Sequence, residues 1–67
     1  MLKVGDRIEM VEMPLDPDPV AAGSIGTVHD VYVFGDGLDA WEQVWVAWDS
    51  GRKLALAVPP DVVRVIS

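Results

Sequence analysis

The stretch Ala40-Trp41-Glu42-Gln43-Val44-Trp45-Val46-Ala47-Trp48-Asp49 decides the fold. Alternation places Val44, Val46 and Trp48 on one face of a strand and Trp41, Gln43, Trp45 and Ala47 on the other. Both faces carry tryptophan, and one face must be the core. The other then presents Trp41 and Trp45 to solvent, to a covering loop or to a partner.

Working outward, the same period-two reading recurs and no helical spacing outlasts a turn. Gly35-Asp36-Gly37-Leu38-Asp39 is rich in turn formers and links this strand to Ile25–Phe34 in a hairpin-type connection. Within that earlier strand Gly26 marks a tight backbone approach or a bulge. Downstream, Asp49-Ser50-Gly51-Arg52 turns into a strand over Lys53–Val58, with Leu54, Leu56 and Val58 inward and Ala55 and Ala57 outward. Pro59-Pro60-Asp61 leaves room for a turn or one turn of 3₁₀ helix before a last strand, Val62–Ile66. The first strand runs from Val4 to Met13 and is stopped by Pro14. Pro14-Leu15-Asp16-Pro17-Asp18-Pro19 follows as a stiff extended loop, because its prolines supply no ladder donors and fix φ.

Five short strands with tight turns and one long proline-rich loop after strand one predict an all-β fold, a single small SH3-like barrel over residues 1–67. Its expected core is Val4, Ile8, Met10, Val28, Val31, Val44, Val46, Trp48, Leu54, Leu56, Val63 and Val65.

Composition narrows the function. The chain has 67 residues, 51% of them hydrophobic, a net charge of −6 and no cysteine. A domain this short buries only about 60% of its unfolded surface and has little room for a deep catalytic pocket. Without cysteine there is no disulfide, zinc-thiolate cluster or thiol nucleophile. No run approaches the roughly 18 apolar residues of a membrane span. With no basic-then-apolar stretch at the N-terminus and no disulfide staples, the expected location is the cytoplasm. Eleven acids against five bases repel phosphate and disfavour direct nucleic-acid binding.

The series Val4-Gly5-Asp6-Arg7-Ile8, Asp16-Pro17-Asp18-Pro19, Gly23-Ser24-Ile25-Gly26-Thr27-Val28, Trp48-Asp49-Ser50-Gly51-Arg52, Leu54-Ala55-Leu56 and Arg64-Val65-Ile66 resembles a small domain-of-unknown-function family of bacteria, phages and plasmids. The resemblance covers nearly the whole chain and implies an SH3-like fold and a bacterial or mobile-element setting. It implies no activity and transfers no functional residue. Tyr32 to Trp45 is longer and more aromatic than that pattern. A looser likeness to the type II dihydrofolate reductases, which are tetramers of SH3-like chains, fails where their Val-Gln-Ile-Tyr strand would fall, since Leu54-Ala55-Leu56-Ala57 stands there.

The candidate binding surface is Trp41, Trp45, Gln43 and Tyr32, joined by Asp16 and Asp18 of the proline loop, where an acidic rim could accept a basic or proline-containing peptide. The competing reading has the proline loop or the long turn capping the tryptophans. His29 beside Asp30 is the lone histidine and cannot build a metal site or a catalytic dyad by itself. Asp16 and Asp18 lack the spacing of a calcium loop. No catalytic residue, metal or cofactor is expected. Arg52, Lys53 and Arg64 read as solubilising charges. Three function classes follow: a non-enzymatic protein-binding module, an acidic nucleic-acid mimic with clustered carboxylates, and a homo-oligomer built through edge strands or Trp45.

Overall fold

A computed structural model describes residues 2–66. Its strands are β1 (Arg7–Glu12), β2 (Ile25–Phe34), β3 (Trp41–Trp48), β4 (Lys53–Val58) and β5 (Val62–Val65), with one short 3₁₀ turn at Gly37–Asp39. All neighbours are antiparallel, in the order β4-β3-β2-β1-β5.

That order forces the sheet to curl. The outermost strands, β4 and β5, are consecutive in sequence and separated only by Pro59, Pro60 and Asp61. Five strands laid flat would hold their edges roughly 19 Å apart. The chain from Val58 to Val62 spans at most about 14 Å. It is folded back further, because the Asp61 amide donates to the Ala57 carbonyl at 2.9 Å and the Ala57 amide donates to Asp61 Oδ2 at 3.0 Å. The result is a small barrel-like fold with the expected five strands and long first loop.

The concave face holds one core: Ile8 and Met10 from β1, Val28 from β2, Val44, Val46 and Trp48 from β3, and Leu56 from β4. Val31, Leu54 and Val63 pack against it. Two expected core residues lie outside. Val4 is 64% exposed because residues 3–6 form a turn, in which the Asp6 amide donates to the Lys3 carbonyl and the Lys3 amide to Asp6 Oδ2. The first strand therefore begins at Arg7, not Val4. Val65, at the end of the outermost strand, is 47% exposed. Their places are taken by two loop residues, Met13 and Val20, which the first loop tucks into the core at its two ends. Gly26 is a close approach: a Cβ there would stand 2.6 Å from Val46 Cγ1 and 2.9 Å from Trp48 Cε3. The bulge of β2 comes slightly later, at His29, where the register with β3 slips between Val28 and Asp30. The Pro59–Asp61 link is a turn, and the 3₁₀ turn sits instead between β2 and β3.

Candidate functional site

The bulge builds the site. Simple alternation from Val28 would aim Tyr32 and Phe34 at the core. One extra residue at His29 reverses the parity, so Val31 stands opposite core residue Val44, while Tyr32 pairs with Gln43 and Phe34 with Trp41 on the outer face. Trp45 shares that face and pairs with Asp30 on one side and Ala55 on the other. Four aromatic side chains therefore share one convex surface: Tyr32 (50% exposed), Phe34 (44%), Trp41 (36%) and Trp45 (39%). Phe34 and Trp41 stack, centroids 4.9 Å apart at 24°. Trp41 and Trp45 are thus partly covered within the chain, and neither is fully capped.

On β4 the outer positions next to Trp45 and Gln43 are Ala55 and Ala57. Their small side chains leave a trough between the aromatic face and the first loop, a groove of about 270 Å³. Met13, Leu15, Asp16 and Pro17 form one wall, Ala55 and Ala57 the floor, and Pro60 and Asp61 the end. The loop is held in place at its far end. Arg52 of the β3–β4 turn donates to the carbonyls of Asp18 and of Pro19 (3.1 Å for the latter), and its guanidinium lies 3.3 Å from Asp18 Oδ2. Asp16 Oδ1 accepts the Asp18 amide at 2.8 Å, which tightens the bend between the prolines.

The structure thus brings Trp41, Gln43, Trp45 and Tyr32 together and sets Asp16 on the rim of the adjoining groove. Asp18 does not join them, because its carboxylate is turned toward Arg52. Leu15, Met13 and Pro60 were not legible as groove residues, since their convergence depends on where the loop lies. Phe34 was hidden by the bulge.

Several of the acids are engaged within the chain. Asp49 accepts both terminal nitrogens of Arg7 at 2.7 Å, and that pair of hydrogen bonds holds its carboxyl below the usual carboxylate range. Glu9 is paired with Arg64, whose guanidinium is correspondingly harder to deprotonate. Glu42 faces the inner side opposite Val33 and Val58, and its Oε2 is buried without a hydrogen-bond donor. His29 Nδ1 lies 3.5 Å from Asp30 Oδ2, with both side chains about half exposed. Among the described residues, no three His, Asp or Glu side chains converge as a metal site requires, and no helix is long and apolar enough to cross a membrane. Arg52 and Arg64 form no joint basic patch, because each is engaged by a different acid.

Fold and surface define a small all-β, barrel-like domain with an aromatic outer face. Residues 2–66 match the family described as a domain of unknown function, DUF4314, and the chain belongs to it. No curated protein and no solved structure matches the chain.

Proposed function

We propose that this domain is a non-enzymatic protein-binding module of the bacterial cytoplasm, encoded in a bacterial, phage or plasmid setting, and that its contact surface is the outer face of β2 and β3. The observation that carries this reading is the grouping of Tyr32, Phe34, Trp41 and Trp45, all partly exposed, on one face. Rigid aromatic side chains bring large contact area at small entropic cost and dominate binding energy in protein interfaces. The groove beside them, with Asp16 on its rim, extends the same surface. Nucleic-acid mimicry needs a one-sided field of carboxylates. Asp49 and Asp18 are engaged by arginines and Glu42 faces inward, which weighs against that alternative.

The test is affinity capture from a bacterial lysate at low and moderate salt, comparing the wild-type chain with a Trp41→Ala/Trp45→Ala double variant. A partner retained at moderate salt and lost in the double variant supports the aromatic surface. A partner kept by the variant and lost with salt instead assigns binding to the acids.

A further inference from the structure

The distal half of β2 has an open edge. β1 pairs with β2 only through Ile25–Thr27, and the Val28 backbone ends that contact by bonding Gly5 and Asp6. Beyond the bulge, Asp30–Phe34 pairs, among the described residues, with β3 alone. The direction of each backbone group follows from the alternation of the ladder. Ala57 spends its amide and carbonyl on Asp61, so Val58, Leu56 and Leu54 bond β3 at Glu42, Val44 and Val46. Trp41, Gln43 and Trp45 then bond β2 at Phe34, Tyr32 and Asp30. The N–H and C=O groups left facing outward are those of Val31 and Val33.

Edges of natural sheets are guarded by charge, proline, brevity or a covering segment. The β4 edge has Asp61 and the first loop beside it, and β5 is four residues long and carries Arg64. Val31-Tyr32-Val33-Phe34 has no charge and no proline, and Val33 is 55% exposed.

We infer that this edge pairs with the same edge of a second copy, antiparallel, with the two-fold axis passing between the two Tyr32 residues. That register makes Val31 of each copy exchange both hydrogen bonds with Val33 of the other, and so satisfies all the outward groups of the stretch. It sets Asp30 opposite Phe34 of the second copy, so no carboxylate meets a carboxylate despite the charge of −6 on each chain. A second copy offers this complement automatically. The pairing also joins the two outer faces at Tyr32, so the aromatic surface becomes continuous across the dimer.

The test uses the whole chain. Sedimentation equilibrium from about 10 μM to about 1 mM should show the mass rising from 7.3 kDa toward twice that value. Val33→Pro removes an amide that bonds nothing among the described residues and should weaken self-association about tenfold or more. Because the protein has no cysteine, Tyr32→Cys introduces a single thiol at a non-hydrogen-bonded pair, where Cα atoms approach within disulfide range. Under mild oxidation it should cross-link much faster than Leu15→Cys. A wild-type mass that stays at 7.3 kDa throughout overturns the inference. So does a Tyr32→Cys rate no greater than that of Leu15→Cys, which decides the matter even where Val33→Pro fails to fold. The Trp41→Ala/Trp45→Ala variant keeps the edge intact, so loss of a partner and loss of the dimer are separate results.

Discussion

At the residue scale, Gly26 is where the core tolerates least. Its position opposite Trp48 lets the indole lie across the β2 backbone, and an added methyl would meet Val46 Cγ1, Trp48 Cε3 and the Ala47 carbonyl at 3.0 Å or less. Gly26→Ala should cost about 1–3 kcal/mol by urea denaturation, as overpacking of a filled core does. A midpoint unchanged from wild type would mean that the β2–β3 pair yields freely there. Glu42 is the opposite case. Its Oε2 is buried without a donor between Val33 and Val58, so Glu42→Leu should raise stability by about 1 kcal/mol, read as a higher thermal midpoint. A lower midpoint would show that the carboxylate is satisfied in solution. The alternation of β3 made Val44, Val46 and Trp48 legible as core. The environment of Glu42 was not legible, because it depends on which residues the neighbouring strands set beside it.

At the scale of the element, two arginines tie together segments far apart in sequence. Arg7 on β1 binds Asp49 in the β3–β4 turn with both guanidinium nitrogens. The carboxyl of Asp49 is held below its ordinary 3.8, so the pair favours the folded state above that pH and loses the effect as pH falls through the lower folded value. The gap in thermal midpoint between wild type and Asp49→Asn should be widest near about pH 7 and should close toward about pH 2. A gap independent of pH would deny the pair its ionic part. Arg52 acts on the first loop through two carbonyls and the Asp18 carboxylate. Arg52→Ala should speed proteolytic cutting within Leu15–Pro19 while leaving the β-sheet signal in circular dichroism intact. The prolines made this segment recognisable as a stiff loop, but its anchor, 34 residues away in sequence at Arg52, could not be read from them.

At the scale of the whole molecule, one core draws on β1 to β4 directly and on β5 through Val63, and the first loop adds Met13 and Val20. No strand has a separate core to fall back on. Tryptophan fluorescence and far-ultraviolet circular dichroism should therefore report a single coincident unfolding transition. Two separated transitions would mean that the β2–β3 hairpin unfolds independently of the rest. The same closure explains the exposed aromatics. A barrel of this size has an interior for one side-chain layer, and β3 fills its share with Val44, Val46 and Trp48, so Trp41 and Trp45 have no inside to enter.

The sequence alone determined that the chain is all-β, where β2 and β4 begin and end, and which residues of β3 face inward, because side-chain alternation is a local property of an extended backbone. It also determined that Trp41 and Trp45 share a face. Only the tertiary structure decided that Phe34 joins them and Tyr32, that Val4 and Val65 lie outside the core while Met13 and Val20 lie within it, and that the edge of β2 stands open. Each of these depends on register or on loop placement. The bulge at His29 exists only in the pairing of β2 with β3, and the open edge only in how far β1 reaches along β2, so neither can be read from one strand by itself.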